Sequence, residues 1–211
     1  GIQAVSNITL EQESLYNRGN VKNFLKTPQF WLLFAAYGLI GNVFNGLLAH
    51  LVIWAVDLGS TDAAAGVFVT VFNGPSILAR VSSGWLGDKY GKKRIMIFGS
   101  VFSSLVMLTG WLIIGSANQL IVYAIIFGIG AGFTSTLFAP YLGDLFGRQN
   151  IGSSFGILTL SWGLIGGLGP TIWGVVLETS GSYNLALLIS SICYAVAGIM
   201  LLMVRPMKEK V

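Results

Sequence analysis

Six apolar stretches, each long enough to cross a bilayer, constrain this sequence more than any other feature. They cover residues 30–56, 63–86, 95–114, 120–141, 154–177 and 183–204. A membrane-spanning helix needs about 20 apolar residues. Backbone N–H and C=O groups in lipid must be bonded within the segment, so such stretches are helices. A β-barrel would show alternating segments of ~10 residues, and none is visible. Only 9% of the residues are charged, against roughly 25% in a soluble domain. The mean hydropathy of +0.76 agrees. The expected fold is an all-α membrane protein, a six-transmembrane-helix bundle.

Residues 1–27 are polar and read as a linker or surface segment, either a short helix over 14–24 or a flexible tail. Residues 28–206 form the expected transmembrane domain and 207–211 a tail. Proline at a first helical turn is a start signal, and Thr27-Pro28 opens the first span. Polar breaks at 57–62, 87–94, 115–119, 143–153 and 178–182 separate the spans. The chain starts at Gly1, not Met, and is expected to be a piece of something longer.

Orientation follows from the basic residues. Arg18, Lys22 and Lys26 precede the first span, and Lys89, Lys92, Lys93 and Arg94 follow the second. Arg148 follows the fourth, and Arg205, Lys208 and Lys210 follow the sixth. With six spans all of these share one side, whereas the other side carries Asp57, Asp62 and Glu178 and no Lys or Arg. Lys and Arg favour cytoplasmic loops, so both termini are expected in the cytoplasm. The net charge of +4 is then a topology signal rather than a nucleic-acid surface. Trp31 and Trp85 fall near the inner boundary, Trp54, Trp111 and Trp173 near the outer one. Trp162 falls inside the fifth span, where it packs or faces a cavity.

One cysteine excludes a disulfide framework, and one histidine argues against a His-based metal site. No cofactor is expected. An intramembrane enzyme lacks support: the serines at Gly152-Ser153-Ser154 have no histidine near them, since His50 is far off in sequence and near the opposite face, and no paired intramembrane aspartates are present. A six-helix channel remains a rival, although no filter loop is visible.

Arg80 breaks the apolar rule most sharply. It lies six residues before Leu86, about 9 Å inside the inner boundary at 1.5 Å per residue. An arginine there costs ~2.5–3.5 kcal/mol on insertion scales and needs a partner or water. It either snorkels, pairs with Asp88 or Asp144, or binds an anionic solute bidentately. Asn73, Gly74, Pro75 and Ser76 precede it, and Pro75 is expected to kink the helix. Asn42 and Asn45 in the first span are expected to join Asn73 as polar lining. His50, near the outer end of that span, reads as a lining or interfacial residue, or as a proton carrier. Glycines crowd the first, fourth and fifth spans, for close packing or for bending at a gate. The first and fourth spans share a glycine-rich middle and run to Asp57-Leu58 and Asp144-Leu145 on opposite faces. That suggests two inverted three-helix repeats, a recurring plan of secondary transporters.

The run Gly84-Trp85-Leu86-Gly87-Asp88-Lys89-Tyr90-Gly91-Lys92-Lys93-Arg94 resembles the G-x-x-x-D-x-x-G-[RK]-[RK] signature of the major facilitator superfamily. Residues 27–206 look like the C-terminal half of its twelve-helix fold. Thr27-Pro28-Gln29-Phe30-Trp31 resembles the oxalate/formate antiporter branch, related to the monocarboxylate transporters, and so does Asp144-Leu145-Phe146-Gly147 followed by Phe155-Gly156. In that branch an arginine eight residues before the motif aspartate is implicated in carboxylate binding, and Arg80 stands there. Oxalate carriers have a lysine in the helix where Trp162 stands here, so a monocarboxylate is expected over a dianion.

The resemblance implies an antiporter or symporter that works by alternating access. Its solute site would hold Arg80, Asn42, Asn45, Asn73, His50 and Trp162. Its partners would be the solute, membrane lipid, and an N-terminal six-helix half or a second copy. The motif implies a gate of Gly84, Asp88, Gly91, Lys92, Lys93, Arg94, Asp144 and Arg148. Asp88 is expected to accept from the N-terminus of the fifth helix or to pair with Arg148 or Lys92. Gly84 is expected to let the second and fifth helices touch.

Overall fold

Lipid offers backbone amides no hydrogen-bonding partner, and the chain answers with helices alone. The computed structural model describes residues 24–205, apart from the side chains of Asp62, Ala63, Ala65 and Trp111. The surface segment over 14–24, the tail, Arg18, Lys22, Lys208 and Lys210 lie almost wholly outside the described residues. The helices are α1 (Pro28–Asp57), α2 (Asp62–Tyr90), α3 (Lys92–Ile113), α4 (Ala117–Ser135), α5 (Phe138–Phe146), α6 (Ile151–Leu164), α7 (Gly169–Ser180) and α8 (Asn184–Met203). No strand occurs among the described residues. Successive α4 and α5 make the fourth span, and α6, a 3₁₀ turn at Gly166–Leu168 and α7 make the fifth. Five of the six spans are long and apolar enough to cross a membrane on composition alone. The second is not among them, because α2 carries Asn73, Arg80 and several small polar residues.

One expectation needs correction. The break over 87–94 shrinks to one residue: α2 runs on to Tyr90, and only Gly91, at φ +96, stands between it and α3. A side chain resists that positive φ, and glycine does not. Pro75 lies inside α2, which is helical from Asp62 to Tyr90.

The spans interlock. The second packs chiefly on the fourth, the first on the fifth, the third on the sixth, the third also on the fourth and the sixth on the first. Exchanging first with fourth, second with fifth and third with sixth returns the same set of neighbours. That exchange is the signature of two related three-helix repeats. Glycine makes the tightest crossings possible. A Cβ on Gly132 of α4 would stand 2.6 Å from the Ser76 carbonyl of α2. Gly169 at the head of α7 likewise lies against the Asn42 carbonyl of α1. Small residues allow such backbone approach in lipid. Between α3 and α8 the Ser104 and Ser191 hydroxyls each donate to the other's carbonyl at 2.9 Å.

Ile77, Leu78, Val81 and Trp85 of α2, and Leu160, Leu164 and Leu168 of the fifth span, are exposed. Those faces have no partner among the described residues.

Candidate functional site

Arg80 is half-buried in α2, and its Nε is buried without a hydrogen-bond partner. Neither expected carboxylate reaches it. Asp144 binds Lys92, Asp88 is exposed, and the single ion pair among the described residues is Lys92–Asp144. The guanidinium carbon lies 5.9 Å from the centre of the Phe44 ring instead. A cation over an aromatic face is attracted by the ring quadrupole, but that contact satisfies none of its N–H groups.

Phe44 belongs to a row of rings. Its centroid is 5.6 Å from that of Trp162, which is 5.0 Å from Tyr37, which in turn is 6.1 Å from Phe155. Phe72 of α2 closes the row 5.1 Å from Phe44. Gly41 makes room for it, because a Cβ there would meet the Trp162 indole at 2.8 Å. Trp162 therefore packs across α1 and stays half-buried. Sequence reading singles out Trp162 and misses Tyr37, Phe44 and Phe155. Tyr37, Gly41 and Phe44 lie on one face of a helix at i, i+4 and i+7, which was the available signal.

The three asparagines separate. Asn42 is buried and donates its Nδ2 to the Ile165 carbonyl at 2.8 Å. That carbonyl lies where the fifth span tightens into its 3₁₀ turn ahead of Pro170. Asn45 is half-buried, its Nδ2 3.3 Å from where a Cβ on Gly166 would be. Both asparagines thus belong to the seam between the first and fifth spans. Asn73 donates to the Val69 carbonyl of its own helix at 2.9 Å. His50 lies six residues beyond Phe44, about 9 Å further along the axis. It is buried, with Nε2 3.1 Å from the Pro170 carbonyl.

The expected gate is arranged differently. Lys92 at the start of α3 reaches both Asp144 carboxylate oxygens, at 2.8 and 2.7 Å, and not Asp88. Lys93 donates to the Leu202 and Val204 carbonyls and so caps α8, where a cation suits the helix dipole. Arg94 and Arg148 are exposed. Gly84 does not bring the second and fifth spans together; a Cβ on it would meet nothing within 4 Å. Trp31 and Trp85 are exposed. Trp54 and Trp173 are buried, at 6% and 2% exposed, and pack with Tyr183.

The chain matches the Major Facilitator Superfamily model over residues 30–211. An MFS transporter of Aspergillus flavus is 26% identical over 74% of this chain and 35% of its own length. The sphingosine-1-phosphate transporter SPNS2 of Mus musculus is 27% identical over 83% of this chain and 33% of itself. Multidrug resistance protein 3 of Bacillus subtilis is 33% identical over 58% of this chain and 24% of itself. The chain thus spans about a third of the first two relatives' length, and less of the third. Among solved structures, the E. coli fucose:proton symporter FucP superposes with a TM-score of 0.74 at 18% identity, covering 89% of this chain and 45% of that one. With its glycine-tight interlocked spans, its charged turn and a family match running from the first span onward, this chain belongs to the major facilitator superfamily of membrane transporters.

Proposed function

We propose that the chain is one six-helix half of a secondary transporter for a small organic anion of the monocarboxylate type. One observation carries this reading. Arg80 holds a half-buried guanidinium beside a row of rings, its Nε has no acceptor, and no described carboxylate neutralises it. A carboxylate on the solute supplies the missing acceptors bidentately, and the rings take its apolar part. This agrees with the antiporter and monocarboxylate resemblance. The exposed faces of α2 and the fifth span await the other half or a second copy. The halves rock about a site near the midplane to give alternating access. Lys89, Lys92, Lys93, Arg94 and Arg205 share one end of the bundle by sequence, which the positive-inside rule assigns to the cytoplasm of a plasma or inner membrane.

The test is counterflow of labelled monocarboxylates into vesicles holding the full-length protein, compared with Arg80→Gln. Saturable counterflow lost in the variant, with insertion unchanged, supports the reading. Unchanged affinity in Arg80→Gln removes Arg80 from the site, and single-channel currents replace the carrier with a pore.

A second reading is an amphipathic phosphate ester. The ring row beside a lone guanidinium suits any anion with a large apolar body, and the relatives in Mus musculus and Xenopus tropicalis are sphingosine-1-phosphate transporters. Competition by long-chain phosphates but not by short carboxylates selects it.

A further inference from the structure

Of the rings in the row beside Arg80, only Tyr37 carries a hydroxyl. The ring itself is held fast, 4.7 Å from Phe138, 5.0 Å from Trp162 and 6.1 Å from Phe155. Its hydroxyl makes no hydrogen bond among the described residues, yet it is not one of the buried unpaired oxygens, as those of Tyr183 and Tyr194 are. It therefore opens onto space outside the packed core. The charge of Arg80 is felt at that phenol. Phe44, beside which the guanidinium lies, stands seven residues beyond Tyr37, about 10 Å along the helix axis. Trp162 bridges the gap, its half-buried indole packed on Gly41. A cation at one end, an unpaired hydroxyl at the other and an indole between them thus lie along one face of α1.

We propose that Tyr37 is a second solute contact, and that the solute is an aromatic monocarboxylate with a hydroxyl at the end of its ring remote from the carboxylate. This rests on the monocarboxylate reading of Arg80 and narrows it. The carboxylate takes the planar fork of Arg80. The flat body lies along Phe44 and Trp162, since aromatic rings attract one another in offset and edge-to-face contacts. The remote hydroxyl bonds to Tyr37.

A phenol both donates and accepts, so Tyr37 serves a hydroxyl in either role. Small-molecule sites are mostly apolar and use a few placed polar groups to fix orientation; here Arg80 and Tyr37 fix the two ends. A short carboxylate reaches Arg80 and leaves the row of rings empty. An aromatic acid without the remote hydroxyl fills the row and leaves the Tyr37 oxygen unpaired.

The test is equilibrium binding to the purified full-length protein in phosphatidylcholine nanodiscs, with acetate, phenylacetate and 4-hydroxyphenylacetate as the probes. Wild type should bind phenylacetate more tightly than acetate by roughly tenfold or more, the effect of burying a ring. It should bind 4-hydroxyphenylacetate more tightly again by roughly two- to tenfold, the effect of one hydrogen bond. Tyr37→Phe keeps the ring and its packing. It should bind the two aromatic acids equally, at the wild-type affinity for phenylacetate, and Arg80→Gln should lose both. A hydroxyl preference that survives in Tyr37→Phe, or is missing in wild type, overturns the Tyr37 contact and leaves the carboxylate reading standing. Acetate bound as tightly as phenylacetate overturns the aromatic class. Aromatic acids bound as well by Arg80→Gln as by wild type overturn the monocarboxylate reading itself, and so does a wild type that binds none of the three. The wild-type comparison decides the class even where a variant fails to fold.

Discussion

The Lys92 ammonium sits on the Asp144 carboxylate at 2.7 Å, joining the start of α3 to the end of the fourth span. Both residues belong to this chain, so the pair braces its six spans internally. The pair is partly exposed, at 21% and 50%, and exposed pairs contribute ~0.2–1 kcal/mol. Asp144→Asn and Lys92→Gln should each lower stability within that range, and the double variant should lose no more than either alone. Thermal unfolding of the four proteins checks this. If Asp88→Asn couples to Lys92→Gln and Asp144→Asn does not, the pairing is wrong.

Arg80→Lys keeps the charge and loses the planar fork. Anion affinity should fall by roughly tenfold or more, about 1.4 kcal/mol. Equilibrium binding in the wild type and this variant measures it. Equal affinity would show that the site needs only a point charge.

Gly132 and Gly169 lie against carbonyls of the neighbouring spans. Valine at either position should cost at least ~1–3 kcal/mol, the usual range for forced overpacking. Gly156 and Gly163 of α6 face open space, where an added Cβ would meet nothing within 4 Å. Alanine there should leave the chain's own stability unchanged or raise it by up to ~1 kcal/mol. Transport lost in Gly163→Ala without loss of stability would place the other half on that face. Detergent melting curves alongside uptake separate the two effects.

Asn42→Leu removes the donor that serves the Ile165 carbonyl at the narrowed turn of the fifth span. Stability should drop by about 1 kcal/mol, the usual net worth of one such bond. Asn42→Gln, with a longer arm, should not restore it. A variant as stable as wild type would mean that the amide adds nothing to the seam.

The spans were legible because lipid allows an apolar run of that length one conformation. The charged turn was legible as a pattern, but its pairing was not. Lys92 and Asp88 are four residues apart in sequence, yet the partner of Lys92 comes from 52 residues away. Nearness along the chain misleads because Gly91 turns α3 back and carries Lys92 towards the fourth span. Polarity alone points the asparagines towards solute lining. Asn42 instead serves a loosened carbonyl, which no local pattern announces. Arg80 was legible because a charge deep in a span needs an explanation. The rings around it were not, because aromatic residues in an apolar helix look like ordinary core.

The interlocking of the spans bears on how the protein is made. The second span finds its main neighbour only when the fourth has been synthesised, and the first must wait for the fifth. Neither triplet is a finished body by itself. During insertion the early helices stand in the bilayer with bare glycine grooves, open to lipid or to wrong partners. A nascent chain stopped after the third span described here should therefore be an early target of quality control.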